Sequence, residues 1–201
     1  MIKAGIFDVG NVLIKWNSQP MYDDINTTLG ITDIQRHKAF SLFEDQFEVG
    51  AMSEAEFWKS FIAEVNPSKP LPDRSLFVTE FAKRFTINQP VLDIALKMGE
   101  NGYRIAILSN AIDPHVNFIK TTGLYDNFNE VVLSNEVGCR KPEREIYELT
   151  IERLGIKSEE ALFVDDLPQN VEGANEVGIH GILFQDPERL RTSLIGLGVD
   201  L

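Results

Sequence analysis

Short apolar runs alternate with amphipathic helical patterns along most of the chain. Residues 2–9 (IKAGIFDV) form the first run and carry Asp8 near its C-terminal end; residues 103–108 (YRIAIL), 130–133 (EVVL), 161–164 (ALFV) and 180–184 (HGILF) repeat the pattern. Apolar runs of this length, bounded by polar residues, predict buried strands. Between them, residues 90–100 (PVLDIALKMGE), 142–154 (PEREIYELTIERL) and 171–177 (VEGANEV) have helical spacing. Pro142 suits the first turn of the second of these helices, and Gly155 its C-terminal stop. Strand and helix alternate from residue 88 onward, which predicts an α/β fold with a doubly wound parallel sheet.

Residues 16–87 break the alternation. They are rich in Phe, Glu and Lys at helical spacing and have no run of β-branched residues, so they read as an all-helical insert. Ser53 with Glu56, followed by Phe57, Trp58 and Phe61, is a capping-box signature, and the segment NPSKPLP at 66–72 is a loop. The expected organisation is a core of residues 1–15 and 88–201 with a helical cap over 16–87. Doubly wound sheets bind ligands beyond the carboxyl ends of their strands. Asp8, Ser109, Asn110, Asp165 and Asp166 fall at such ends, and an insert after the first strand hangs over the same crevice.

Composition narrows the field. A chain of 201 residues, 43% hydrophobic and 25% charged, is one globular domain with room for an insertion. No run approaches the roughly 20 apolar residues of a membrane span, and MIKAGIFDVG lacks the separate basic and apolar regions of a secretory leader. A soluble, cytoplasmic protein is expected. Cys139, the one cysteine, forms no internal disulfide, which fits a reducing compartment. The formal charge of −12 comes from 31 dispersed acids against 19 Lys and Arg, and the densest basic cluster is Arg140-Lys141 with Arg144. That balance argues against nucleic acid. It allows a small anion, because charges beyond the Debye length of about 8 Å are screened.

Four segments carry candidate chemistry. Asp8 ends the first predicted strand and is followed by Val9-Gly10-Asn11. A carboxylate before a glycine turn serves as a nucleophile or metal ligand, or caps a tight turn. Ser109-Asn110 ends a second strand, where a hydroxyl and backbone N–H groups hold an anion if a helix begins, as Asp113-Pro114 suggests; Ser-Asn is equally ordinary turn chemistry. Lys141 precedes the helix predicted from Pro142, at the positive end of its dipole, where a cation gains nothing. A bound anion accounts for it, as does a solvated surface. Asp165-Asp166 places two repelling carboxylates at a strand end, an arrangement tolerated mainly with a cation between them. Hard oxygen ligands in small number point to Mg²⁺, and an acidic turn supported by Asn170 is the alternative. Nucleophile, hydroxyl, lysine and acidic pair occur in that order on one predicted crevice.

With FDVGNVL at 7–13, LSN at 108–110, GCRKPEREIY at 138–147 and FVDDLPQNVEGANEVGI at 163–179, nearly the whole chain resembles the haloacid dehalogenase superfamily. It is most similar to the small phosphatase-like members with a helical cap, and to a glucose-1-phosphatase-like subgroup that also reads Asp-x-Gly-Asn. The resemblance implies Mg²⁺-dependent hydrolysis of a small phosphate monoester. It casts Asp8 as the nucleophile that forms an aspartyl-phosphate, the Gly10 carbonyl and Asp166 as metal ligands with Asp165 beside them, Ser109 and Asn110 as phosphate-binding groups, and Lys141 as the cation that steadies nucleophile and phosphate. One departure follows from the same comparison. The family's usual acid two residues after the nucleophile is Gly10 here, which removes a proton donor worth about 10²–10⁴-fold.

Two further readings stand beside this one. In the first, the fold binds a phosphorylated ligand or a protein partner with little catalysis. In the second, it is a metal-free haloacid dehalogenase, against which the Asp165-Asp166 pair weighs. Trp16 at the junction is either substrate wall or hinge packing, and nothing aims Glu44, Asp45 or Phe47. His37, His115 and His180 lie apart without ligand spacing, which predicts structural roles.

Overall fold

The computed structural model describes all 201 residues. In chain order its elements are β1 (Ala4–Phe7), β2 (Ile14–Lys15), α1 (Ser18–Leu29), α2 (Asp33–Glu48), α3 (Glu54–Val65), α4 (Leu76–Ala82), β3 (Thr86–Ile87), α5 (Gln89–Glu100), β4 (Arg104–Ser109), α6 (Asp113–Lys120), β5 (Glu130–Leu133), α7 (Ser134–Val137), α8 (Arg144–Leu154), β6 (Ala161–Asp165), α9 (Pro168–Glu176), β7 (His180–Leu183) and α10 (Pro187–Gly196). The sheet is parallel throughout, in the order β5-β4-β1-β6-β7. The α/β, doubly wound expectation holds.

Alternation along the strands divides the core. Phe7, Ile105, Ile107, Leu162 and Val164 face α5 and α10, whereas Ala4, Ile6, Ala106, Leu108 and Phe163 face α8 and α9. Because both faces are covered, β1 is buried at every position, which is why it reads as a continuous apolar run. The five predicted strands all form. Predicted helix boundaries shift by a few residues: α9 begins at Pro168, earlier than Val171, because a proline fits the first turn.

The helix expected from Pro142 begins instead at Arg144. Residues 140–143 close a turn first, with Glu143 N–H donating to the Arg140 carbonyl (2.8 Å) and the Glu143 carboxylate accepting from Arg140 N–H (3.1 Å). Lys141 therefore sits in a turn, not at the end of a helix. The segment 16–87 was expected to be wholly helical, yet Thr86–Ile87 pairs antiparallel with Ile14–Lys15. That two-strand ribbon lies where the chain leaves and re-enters the sheet layer.

Helices α1 to α4 gather a separate aromatic cluster in which Phe40, Phe47, Phe57, Phe61 and Phe77 are buried edge-on or stacked. Thr32 and Ser53 cap α2 and α3 with full capping boxes. The helical layer docks on the sheet layer through α4, whose Phe81 packs on His115 and Phe118 of α6, and through the end of α2. Arg140 reaches Asp45 (2.6 Å) and Glu48 (2.7 Å), Ser134 Oγ donates to the Glu48 carbonyl, and Gly50, at φ 70°, leaves no room for a Cβ against the Asn135 carbonyl.

On the far side, Gly173 of α9 lets that helix approach the turn that carries Lys141. A Cβ there would stand 2.9 Å from the Pro142 carbonyl oxygen and 3.1 Å from Tyr147 Cε2. Gly173→Ala should cost about 1–3 kcal/mol by overpacking, read as a drop of several degrees in Tm. An unchanged melting curve would show that α9 can move away freely.

Candidate active site

Three adjacent strand ends make the floor of the site. β1 lies between β4 and β6, at the point where the strand order reverses, so Asp8, Ser109 and Asp165 stand side by side at the crevice. Asp8 N–H still bonds to the Val164 carbonyl at 2.9 Å, which fixes the nucleophile candidate to the end of β6.

Lys141 enters from the turn before α8 and is 3% exposed. Its Nζ donates to Asp8 Oδ1 (2.7 Å), Asp165 Oδ2 (2.6 Å) and the Leu108 carbonyl (3.2 Å), so each ammonium proton has an acceptor. Asn110 clamps the lysine backbone from both sides: its Nδ2 donates to the Lys141 carbonyl (2.9 Å) and its Oδ1 accepts from Lys141 N–H (2.8 Å). Asp165 is fully occupied, because Leu167 N–H (2.8 Å) and Asn170 Nδ2 (3.1 Å to each oxygen) donate to it as well. The cation that relieves the repulsion at Asp165 is therefore Lys141, where the sequence suggested a metal ion. Strand geometry explains this, since Asp165 is the last residue of β6 and points inward, while Asp166 lies past the strand end and is half-buried.

Asp166 Oδ2 accepts from Asn11 Nδ2 (2.9 Å), and Asn11 Oδ1 accepts from Trp16 N–H (3.2 Å). Asn11 takes a left-handed φ of 56°, a conformation that Asn tolerates better than most residues. One oxygen each of Asp8, Asp165 and Asp166 lies within 4.8 Å of the others. Three carboxylates against one ammonium leave two negative charges, and the second oxygen of Asp8 takes no hydrogen bond from a side chain. An all-oxygen, doubly negative site with unspent lone pairs on Asp8 and Asp166 suits a hard divalent cation.

Burial raises the Asp8 carboxyl to about 6, and Asp165 adds to the rise while Lys141 opposes it. Burial works against the Lys141 ammonium, but Asp8 and Asp165 outweigh it and hold its pKa above the usual lysine range. Asp166 is also raised, chiefly by burial.

Ser109 is 5% exposed and its Oγ makes only a long bond to the Asn110 carbonyl (3.2 Å), leaving it free for a ligand. Gly10, Ser109 and Asn110 line one cavity of about 120 Å³ whose other walls, among them Ile14, Phe81, Val116 and Tyr125, are largely apolar. All seven candidate residues read from sequence thus meet in one crevice. Sequence reasoning gave no part to Ser134, to Asn11 only a place in the first motif, and to Asn170 only support of a turn, although Asn170 sits five residues after Asp165, in the first turn of α9, where it reaches back to a strand end. The partners of Asn11, Asp166 and the Trp16 N–H, and the contacts of Ser134 had no local signal.

A family model for haloacid dehalogenase-like hydrolases matches residues 2–178. The chain belongs to that family. This haloacid dehalogenase-like hydrolase is similar to the sesquiterpene phosphatase astK of Aspergillus oryzae, 26% identical over 92% of this chain and 90% of that protein. It also resembles the drimenol cyclase drtB of Aspergillus calidoustus, 25% identical over 98% of this chain, and spans only 37% of that longer protein. Among solved structures, a HAD family enzyme from Bacteroides thetaiotaomicron in complex with magnesium and inorganic phosphate superposes with a TM-score of 0.78, at 26% identity, covering 94% of this chain and 99% of that one. No helix is long and apolar enough to cross a membrane.

Lys141→Met would leave two buried carboxylates facing each other, a loss of about 3–5 kcal/mol in stability. Asp8 would then rise further above its ordinary value of 3.8. A carboxyl with a raised folded pKa keeps a proton that the unfolded chain releases, so the variant loses stability as pH climbs from about 4 through 6 and beyond. Urea midpoints should show a larger deficit at pH 8 than at pH 5, and equal deficits would contradict this account.

Proposed function

We propose that this hydrolase removes phosphate from a small phosphate monoester, with Mg²⁺, through an aspartyl-phosphate on Asp8. The buried Asp8–Lys141–Asp165 arrangement beside Asp166 carries the reading, because it holds an oriented carboxylate next to a site built for one divalent cation and one phosphoryl group. Similarity to an enzyme solved with magnesium and inorganic phosphate supports it, as do relatives named as phosphatases. The pattern Asp8-Val9-Gly10-Asn11, which resembles the first motif of glucose-1-phosphatase-like members, supports a sugar phosphate as substrate.

Asp8, the Gly10 carbonyl and Asp166 would hold Mg²⁺, which when bound neutralises charge on the phosphoryl oxygens. Lys141 keeps Asp8 ionised and aimed, and Asp165 and Asn110 keep Lys141 in place. Ser109 Oγ and the Asn110 N–H receive the phosphoryl oxygens. Asp8 then attacks phosphorus, the leaving oxygen departs toward the helical layer, and water cleaves the aspartyl-phosphate. Residues 16–87 act as a cap that walls the leaving-group side; Trp16 and the aromatic cluster of α1 to α4 face it.

With glycine at position 10, the enzyme favours esters whose leaving groups need little protonation, such as sugar 1-phosphates and aryl phosphates. Phosphate release from p-nitrophenyl phosphate and a sugar phosphate panel, with Mg²⁺ or chelator, tests the whole reading. Asp8→Asn should abolish turnover, and Asp166→Ala should lower activity and Mg²⁺ dependence together; normal rates in Asp8→Asn would end the covalent mechanism.

Space for the missing acid exists. A Cβ on Gly10 would meet only Asp8 Oδ2, at 3.8 Å, and its φ is unstrained. Gly10→Asp should therefore fold, and should raise rates on alkyl phosphates by up to about 10² while helping aryl phosphates less. Equal gains on both would mean that protonation of the leaving group does not set selectivity.

A further inference from the structure

Three carboxylates meet in the crevice, and the protein holds them unequally. Asp165 accepts from Lys141 Nζ, the Leu167 N–H and Asn170 Nδ2, and Asp8 accepts from Lys141 Nζ. Asp166 takes no hydrogen bond from the lysine. The one side-chain donor it has is Asn11, whose Nδ2 lies 2.9 Å from Oδ2. Asp166 also stands past the end of β6, half-buried, where the ladder of the sheet no longer constrains it. A ligand carboxylate left to rotate must be ordered when an ion arrives, at a cost in side-chain entropy.

Asn11 is anchored on its other side. The chain folds back directly after Asp8: Leu13 N–H and Ile14 N–H donate to the Asp8 (3.4 Å) and Val9 (2.9 Å) carbonyls, and Asn11, inside that turn, takes the left-handed φ of 56°. Its Oδ1 accepts from the Trp16 N–H at 3.2 Å, where the chain passes from β2 toward α1. The Trp16 ring in turn packs on Phe81 of α4, with centroids 4.8 Å apart. One amide therefore reaches from the end of the sheet to the entry of the helical layer. Its orientation is fixed, because turning it over would set Oδ1 against a carboxylate and Nδ2 against an N–H donor. Both bonds are exposed, and such bonds add little net stability. Glycine would adopt the same backbone without strain. The amide side chain is thus not demanded by the fold.

Resting on the phosphatase reading, we propose that Asn11 is a positioning residue for the metal site: braced on the Trp16 N–H, it holds Asp166 Oδ2 and leaves the other Asp166 oxygen free for the cation. Neighbours that orient a metal-ligating carboxylate contribute to affinity for the ion without touching it. Asn11 makes and breaks no bond in the reaction and acts through Asp166. Its effect falls on metal binding, not on the attack of Asp8 at phosphorus. Because the same amide is tied to Trp16, affinity for the ion depends on how the helical layer enters the crevice. The pattern Asp8-Val9-Gly10-Asn11 then supplies a nucleophile, a backbone carbonyl for the ion and the brace for a ligand that lies 155 residues away.

The test measures Mn²⁺, a hard cation that shares oxygen ligands with Mg²⁺, by EPR of the free ion and without substrate, in the wild type and Asn11→Gly. Thermal melts in chelator and p-nitrophenyl phosphate kinetics across a Mg²⁺ titration accompany it. Asn11→Gly should melt within a few degrees of the wild type and bind Mn²⁺ at least about tenfold more weakly. Saturating Mg²⁺ should return its kcat to within about threefold of the wild type, because the loss lies in affinity for the ion. Unchanged Mn²⁺ affinity would overturn the inference. So would a kcat that stays low at saturating Mg²⁺, which would show that the loop beside Asp8 had loosened, or a variant that does not fold, which would make Asn11 a folding residue. A wild type that binds Mn²⁺ but hydrolyses no ester overturns the phosphatase reading, and the Mn²⁺ titration then decides the role of Asn11 alone. A wild type that binds no Mn²⁺ overturns both.

Discussion

A lysine ammonium buried between two carboxylates governs the architecture of the crevice. Buried ion pairs add little net stability, because desolvation takes back most of the attraction, but breaking one is costly. Lys141 is therefore less a source of stability than a constraint. Once its Nζ lies 2.7 Å from Asp8 and 2.6 Å from Asp165, the ends of β1, β4 and β6 and the turn before α8 have one mutual position. Asn110 and Asn170 complete it by holding the lysine backbone and the Asp165 carboxylate, and Tyr147 fixes Asn170 through its carbonyl at 2.8 Å.

That constraint separates three neighbouring carboxylates. Asp165 spends both oxygens inside the protein, whereas Asp8 keeps one oxygen free and Asp166 stays at the half-buried rim. Geometry, not residue type, thus divides the anchored carboxylate from the two with open oxygens. The raised pKa of Asp8 reflects the same burial, and a divalent cation at the cluster would oppose it.

The helical layer contributes differently. Its aromatic cluster has its own core, Phe77 and Phe81 of α4 carry the packing on to α6, and Arg140 with Asp45 and Glu48 and Ser134 with the Glu48 carbonyl supply polar docking contacts. The space left between the layers is lined by rings from one side and by Asn110 and His115 from the other. A glycine at position 10 leaves room beside Asp8 where an acid could stand.

The alternation of apolar runs and amphipathic helices was enough to define the parallel sheet, because strands covered on both faces leave no polar positions to confuse the pattern. The order of Asp8, Ser109, Lys141 and the acidic pair was enough to define the crevice, since strand ends in such a sheet converge. What linear spacing does not contain is distance across the sheet. It marked Lys141 as facing an anion in front of a helix, but the turn at 140–143 carried it inward to two carboxylates. It left Asp165 and Asp166 equivalent, and only the end of β6 made one internal and the other a rim group. It gave His115 no ligand spacing, and the rings it packs against, Trp16 before α1 and Phe77 and Phe81 of α4, are brought beside it only by tertiary packing.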